Sequence, residues 1–149
     1  MRKLHRPGGS TLLEVLIAVF VLAIGMLGIA ALQAVTLKNS GGSAERTNAV
    51  IQSYAMLDVM RANRSVARAG QYNQGWLCQE ADIPDDATNA NARADVNRWV
   101  GNLHAQVGPS ACGRIQCGAN DCEVEVRWDQ SRVTGGTDTP TTMKTTSRL

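Results

Sequence analysis

An uninterrupted apolar segment near the N-terminus constrains this 149-residue chain more than any other feature of its sequence. Residues 15–32 are 18 consecutive positions without a charged side chain. At about 1.5 Å per residue, a helix of this length crosses most of a hydrocarbon layer roughly 30 Å thick. We therefore predict a membrane-spanning helix over about residues 12–33.

The charges that flank this segment predict its orientation. Arg2, Lys3 and Arg6 all precede it. Because basic residues concentrate on the cytoplasmic side of membrane helices, we predict a cytoplasmic N-terminus and a periplasmic remainder. The segment is longer than the apolar region of about 7–15 residues in a secretory signal, and residues 30–34 match a small-residue cleavage site poorly. We therefore expect the helix to stay in the protein as an inner-membrane anchor.

One carboxylate lies at the edge of the apolar segment. Glu14 stands between Leu13 and Val15, in otherwise apolar surroundings. An ionisable side chain inside a membrane is costly, so its presence indicates a function and a charged partner. The simpler alternative is that Glu14 only marks the membrane interface.

The residues around Glu14 resemble the class III signal of type IV prepilins and pseudopilins. Residues 8–14 have the sequence GGSTLLE and lead into the long apolar helix. The family pattern is a short basic leader that ends in Gly, followed usually by Phe-Thr-Leu-Leu/Ile-Glu. The resemblance implies that prepilin peptidase cleaves after Gly9 and removes residues 1–9 as a leader. Ser10, where the family usually has Phe, is then the new N-terminus and the site of N-methylation.

The resemblance also implies a role for Glu14 in assembly, as the fifth residue of the mature chain. Its carboxylate pairs with the α-amino group of Ser10 in a neighbouring subunit. Two charges that are each costly in an apolar filament core become tolerable together. Such pairing sets the axial register between subunits, while the apolar helix surface holds them together.

Beyond the membrane, the pattern predicts that residues 10–69 form one long stalk, first membrane-spanning and then amphipathic. A bend is expected at the glycine pair 41–42, and Gly70 is expected to end the helix. In the amphipathic part, a stripe of apolar side chains is predicted to face the rest of the protein. Its members are Val50, Tyr54 and Leu57, with Ile51 and Met60 beside them.

Residues 70–149 are predicted to form a periplasmic globular head. Apolar residues at helical spacing indicate one helix over residues 92–107, with Trp99 in the core. Residues 123–129 alternate with period two, which is typical of a half-buried strand, and residues 141–149 are predicted to pair with it as an antiparallel closing strand. The predicted fold class is therefore α+β and type IV pilin-like. It consists of a long N-terminal helix packed on a small antiparallel sheet, with one extra helix.

The cysteine spacing predicts disulfides. Only six of the 149 residues are aromatic, so a small exported head needs stabilisation beyond its core. Cys78, Cys112, Cys117 and Cys122 lack the spacing of a zinc site, and in an oxidising compartment they indicate two disulfides with three possible connectivities. We favour Cys117 with Cys122, around the turn between them, and Cys78 with Cys112. Each bond contributes about 2–4 kcal/mol.

The sequence contains no recognisable catalytic constellation. His104 is the only histidine after the leader, and no phosphate loop, metal motif or dinucleotide fingerprint is present. We therefore expect no enzymatic activity, no cofactor and no bound metal. Without the leader the formal balance of charges is close to neutral, so we expect no nucleic-acid partner. A DNA-binding module for uptake is the alternative that a basic face would favour.

Three later segments narrow the resemblance to one family. Residues 57–64, 95–99 and 126–132 are similar to the type IV pilus modification protein PilV family, minor pilins related to the minor pseudopilin I of type II secretion. The resemblance implies a tip complex of minor pilins that primes polymerisation of the major pilin. It also implies twitching motility, surface attachment and the presentation of a tip adhesin.

The same resemblance implies a sequence of locations and partners. The chain is processed by prepilin peptidase, waits in the inner membrane, is extracted by the pilus assembly platform and reaches the cell surface in the pilus. Besides the DNA-binding module, two alternatives remain at this point. One is a minor pseudopilin of a type II secretion system, and the other is an unassembled, signal-anchored periplasmic domain.

Overall fold

The computed structural model describes residues 11–79, 89–131, 136 and 140–149. The chain divides into two units, of which the first ends at Lys38 and the second comprises Asn39–Leu149. The described elements, in chain order, are α1 (Leu12–Ala62), α2 (Arg64–Arg68), β1 (Gln74–Leu77), α3 (Ala90–Gln106), β2 (Cys112–Cys117), β3 (Asp121–Trp128) and β4 (Thr141–Arg148).

The first helix is long and partly very apolar. It contains an 18-residue window with a mean hydropathy of 2.9, none of which is buried, so its length and composition suffice to cross a membrane. The helix is not interrupted at residues 41–42, where a bend is expected, because α1 is continuous through both glycines. Glycine lowers helix propensity by only about 1 kcal/mol relative to alanine, which the turns on either side offset. At Gly42 the helix is buried, and its carbonyl oxygen accepts a hydrogen bond from Gln130 at 3.2 Å.

The buried face of α1 differs from the predicted stripe. Tyr54 is 51% exposed and Val50 is only half-buried, whereas Leu57 is buried as predicted. The residues that α1 buries are Gly42, Ala49, Gln52, Ser53, Met56, Leu57 and Met60. Two of them are polar, so the apolar pattern of the sequence predicts a buried face that is displaced by one residue from the observed face.

Hydrogen bonds explain why polar residues occupy this face. The hydroxyl of Ser53 donates to the carbonyl oxygen of Ala49 at 2.8 Å, within the helix itself. The side-chain amide of Gln52 donates to the Oε1 of Gln106 at 3.1 Å. The indole Nε1 of Trp99 donates to the backbone carbonyl oxygen of Gln52 at 3.0 Å. Buried polar groups are tolerated when they are hydrogen-bonded, and small side chains allow a large ring to approach the helix.

The helical stretch ends at the predicted glycine, although in two helices and not one. Asn63 separates α1 from α2 with non-helical backbone angles, and its side-chain amide donates to the hydroxyl of Tyr72 at 3.0 Å. Gly70 has a φ of 74°, the left-handed conformation that glycine adopts without strain. The N–H group of Gly70 donates to the carbonyl oxygen of Ala67 at 2.9 Å, which closes α2.

The described residues contain four antiparallel strands, which form one sheet in the order β1-β2-β3-β4. Strand β3 buries alternate residues including Val124, Val126 and Trp128, as the sequence pattern predicts. Strand β4 closes the sheet as predicted, and its eight residues pair with β3 in an unbroken register.

The other two strands do not follow from sequence periodicity. Strand β1 lies in a segment for which no element is predicted, and it has four residues with a register irregularity between Gln74 and Leu77. Strand β2 has Ile115 as its one large aliphatic side chain, which is fully buried. Such short segments form strands because neighbours bury them, not because of their own pattern.

Helix α3 covers the inner face of the sheet. Its predicted apolar residues are buried, and the Asn89 side chain caps its N-terminus by accepting from the N–H groups of Asn91 and Ala92. Trp99 packs directly on Gly113, since a Cβ built at that glycine would lie 2.3 Å from the indole ring. The close approach of α3 to β2 therefore requires glycine. The part of α1 from Asn39 onward contributes to the same core, which confirms the predicted fold class.

A buried tyrosine links the end of the helical stretch to α3. The hydroxyl of Tyr72 donates to the carboxylate of Asp95 at 2.9 Å and accepts from Asn63. Burial is the main reason that the pKa of Tyr72 lies above its usual value, and the nearby Asp95 carboxylate raises the pKa further.

Candidate functional site

The N-terminal signal is described from Thr11 onward. Thr11 precedes the first helical residue, and its carbonyl oxygen accepts hydrogen bonds from the N–H groups of Glu14 at 3.0 Å and Val15 at 3.3 Å. Its hydroxyl oxygen lies 3.4 Å from the N–H group of Glu14. A Thr followed three residues later by Glu is the capping-box pattern of a helix start, which the sequence analysis missed. The Thr-Leu-Leu-Glu part of the motif therefore starts the helix as well.

Glu14 lies in the first turn of α1, and its side chain is exposed. A carboxylate at this position favours the helix start, because the N-terminus of a helix carries partial positive charge. Within the part of the chain that the structure describes, the ion pairs are Asp58–Arg61, Asp95–Arg98, Arg114–Glu125 and Glu123–Lys144. The carboxylate of Glu14 is therefore accessible for a cation from another chain. Gly9 and Ser10 lie outside the described residues.

The apolar surface next to Glu14 is extensive. Every side chain from Thr11 to Lys38 is exposed, and the large apolar ones among them surround the helix. They include Leu13, Val15, Leu16, Ile17, Val19, Phe20, Val21, Leu22, Ile24, Met26, Leu27, Ile29 and Leu32. A helix that is apolar on all sides requires lipid or other apolar helices around it.

Both disulfides of the head are present, with the connectivity that the spacing favours. Cys78 is bonded to Cys112, and Cys117 is bonded to Cys122. The first bond joins the residue after β1 to the first residue of β2. The second joins two directly opposed residues of the β2–β3 hairpin. The bonds thus hold three strands of the sheet at both ends of β2.

The outer face of the sheet is polar and crossed by charge pairs. Arg114 of β2 pairs with Glu125 of β3 at 3.2 Å, and Lys144 of β4 pairs with Glu123 of β3 at 2.6 Å. The guanidinium of Arg127 lies 4.2 Å from the ring centre of Trp76. The sequence analysis missed this surface, because its residues meet only when the strands pair.

An open groove of about 790 Å³ runs over part of this face. Its lining comes from β1, β2 and the hairpin, and includes Trp76, Gln116, Asp121 and Glu123. Among the described residues no group of three or more His, Cys, Asp and Glu side chains is arranged to hold a metal ion. The ring Nε2 of His104 lies 3.0 Å from the carbonyl oxygen of Ala111, which is a structural contact between α3 and the start of β2.

Comparison with known proteins identifies one relationship. A family model described as the prokaryotic N-terminal methylation motif matches residues 4–30. No curated protein and no solved structure matches the chain. The motif supports a type IV pilin-like protein of the prepilin class, and the long apolar helix fits a membrane-anchored protein of that class. The α+β fold with its long N-terminal helix agrees with this assignment.

Proposed function

We propose that this protein is a minor pilin of the PilV type, which joins other minor pilins in the complex that starts type IV pilus assembly. The observation that carries the proposal is the methylation motif at residues 4–30, at the start of a helix that continues into the head. The same motif is common to pseudopilins, so the three later similarities to PilV favour the pilus. The protein acts mechanically and has no enzymatic activity.

The N-terminal motif provides both processing and assembly. Prepilin peptidase cleaves after Gly9 on the cytoplasmic side, and Ser10 becomes the methylated N-terminus. The accessible carboxylate of Glu14 then pairs with the α-amino group of an adjacent subunit. In the apolar core of a filament the two charges stabilise each other, whereas either alone is costly. The pair therefore selects one axial position of the helix.

The head selects neighbours. Its two disulfides hold the sheet together in the periplasm, while the exposed residues of the sheet and helices contact the neighbouring subunits. The partners are other minor pilins, the major pilin, the assembly platform and a tip adhesin. The subunit waits in the inner membrane with its N-terminus in the cytoplasm and then reaches the cell surface in the pilus, where it supports twitching motility and adhesion.

The first test is intact mass and N-terminal sequencing of the membrane-extracted protein, from cells with and without prepilin peptidase. We expect a chain that begins at Ser10 only when the peptidase is present. Gly9→Val is expected to block cleavage, whereas the matched variant Gly8→Ala is expected to keep it. A chain that begins at Met1 in both strains, or that is cut near Ala30, would contradict the proposal.

The second test separates assembly from processing. Glu14→Gln removes the charge and keeps the shape, so we expect normal cleavage but loss of the subunit from isolated pili. Asp58→Asn is the matched control, since it neutralises an exposed carboxylate further along the same helix. Subunits recovered with the wild-type chain by mild cross-linking identify the system. Recovery of secretion pseudopilins in place of pilins would assign the chain to type II secretion.

A further inference from the structure

The last strand of the sheet presents a long open edge. Strand β4 hydrogen-bonds to β3 on one side and is the terminal strand of the described sheet on the other. A terminal strand offers a row of backbone N–H and C=O groups to any extended segment that approaches. Proteins usually protect such edges with very short strands, bulges, proline or charged side chains.

The two edges of this sheet differ in their protection. Strand β1 has only four residues and an irregular register, both of which hinder pairing with another strand. Strand β4 has eight residues, contains neither proline nor glycine, and keeps a regular register with β3 throughout. Four of its residues are threonines, which favour extended structure. The protection that β4 does have is the charge of its exposed side chains Lys144 and Arg148, so its edge is suited to a further strand that carries opposite charges.

Charges on the exposed face of β4 indicate which charged side chains an added strand must carry. Glu125 of β3 lies directly opposite Arg114 of β2 on one side and Lys144 of β4 on the other. The charges across the three strands therefore alternate as positive, negative, positive. At the end of the sheet, Asp121 is opposed to Arg148 in the same way. Opposite charges directly across paired strands stabilise a sheet, and like charges destabilise it. To continue this alternation beyond β4, the next strand requires carboxylates opposite Lys144 and Arg148, four residues apart on one face.

The open edges of this chain do not meet that requirement. Strand β4 carries no carboxylate, so a second copy of it has none to place opposite Lys144 and Arg148. Strand β1, with the sequence QGWL, carries none either. A second copy of this chain is thus a poor occupant of its own β4 edge.

We propose that β4 binds an extended segment of a different pilin-class subunit, which adds a fifth strand to the sheet and carries carboxylates four residues apart. The residue midway between the two acids lies opposite Thr146, whose exposed hydroxyl group can accept or donate a hydrogen bond. This inference rests on the proposed function, because it names the contact by which the head recognises a neighbouring subunit.

Photo-cross-linking in cells tests the contact with the full chain. A photoreactive phenylalanine derivative replaces Thr146 on β4 or, as a control, Ala94 on the exposed side of α3. We expect an adduct from position 146 on another pilin-class subunit, within a segment that has acids four residues apart, and no such adduct from position 94. An adduct on a second copy, on a helix or on an unrelated protein would overturn the inference.

The same samples distinguish this inference from the proposed function. If the chain is cleaved after Gly9 and recovered with pilin subunits, yet position 146 gives no adduct, the strand contact is wrong and the proposed function stands. If the chain is neither cleaved nor recovered with any pilin-class subunit, both are wrong.

Charge reversal gives a second measurement. Lys144→Glu with Arg148→Glu is expected to lower recovery of the cross-linked partner about tenfold or more, because two attractive pairs become repulsive. The neutral pair Lys144→Gln with Arg148→Gln is expected to give a smaller loss, and it avoids placing a new acid beside Glu123. Arg64→Glu with Arg98→Glu makes the same charge change on the helices and is expected to leave recovery unchanged. Equal recovery from all variants would contradict the proposal.

Discussion

The two parts of α1, before and after the boundary between Lys38 and Asn39, are both helical but differ in whether their side chains are buried. Up to Lys38 the side chains are exposed on all sides, although most of them are apolar. From Asn39 onward one face is buried in the head, although that face includes Gln52 and Ser53. The first part is a helix that needs an apolar environment from outside, and the second part obtains its environment from its own chain.

This comparison teaches that hydrophobicity and burial are separate properties. In the first part, exposed side chains such as Phe20 indicate where lipid or other subunits bind. In the second part, Gln52 and Ser53 are buried because the side chain of Gln106 and the carbonyl oxygen of Ala49 accept their hydrogen bonds. Stability of the head should therefore depend on core residues after Asn39 and be independent of apolar residues before it.

The largest expected effect on stability comes from replacing isoleucine by alanine, and it should differ between three positions with different burial. Ile115→Ala removes a fully buried side chain and should destabilise the head by about 2–5 kcal/mol. Ile51→Ala, at a side chain that is 52% exposed, should change stability by no more than about 0.5 kcal/mol. Ile17→Ala, in the first part of α1, should leave the head unaffected. Chemical denaturation of the detergent-solubilised chain measures all three, and equal losses would break the comparison.

A smaller loss is expected where the head is packed most closely. Gly113→Ala places a methyl group against Trp99, and relief of this overlap should cost about 1–3 kcal/mol. Gly75→Ala is the matched control in the same sheet, because a Cβ there has no heavy atom within 4 Å. Thermal unfolding of both variants checks this. A Gly113 variant as stable as the Gly75 variant would show that α3 and β2 are less closely packed than described.

A still smaller loss of stability is expected when the N-terminal cap of α3 is removed. Asn89→Ala removes the acceptor of two backbone hydrogen bonds, and the expected loss is about 1 kcal/mol. Asn91→Ala changes the same residue type inside the first turn, and should have little effect. The difference between the two melting temperatures is the measurement. No difference would mean that water replaces the cap without cost.

The smallest effect depends on pH. Burial raises the Tyr72 pKa above its ordinary value of 10.0, so the folded state keeps the proton to higher pH than the unfolded state. The resulting contribution to stability is complete below pH 10.0 and decreases as the pH rises above it. Tyr72→Phe should cost about 0.5–1.5 kcal/mol near neutral pH and reduce this alkaline loss. Tyr54→Phe, at an exposed ring, should change neither, as melting curves from pH 8 to 11 would show.

Much of the fold could be predicted where a single period dominates a segment. The apolar segment is uninterrupted, and the face of α3 and the alternation of β3 each repeat with one clear period; the structure contains the corresponding elements. Gly70 and the favoured disulfide connectivity also agree with the structure. The roles of Gly9, Ser10 and Glu14 stay predictions that rest on the motif.

Other features could not be predicted, because their causes are distant in the chain. The strands β1 and β2 lack a clear period, and they form through pairing and through contact with α3. The buried face of α1 is displaced from its apolar stripe because Trp99 approaches at Gln52, 47 residues away in sequence.

The sequence by itself determined the properties that act locally or through solvent. An uncharged apolar segment prefers lipid whatever follows it, and a short motif is recognised by its own residues. Only the tertiary structure decided which side chains of α1 are buried, where glycine must stand and which edge of the sheet is open. Those features depend on packing and strand pairing between residues far apart in the chain, and the period of a single segment does not record them.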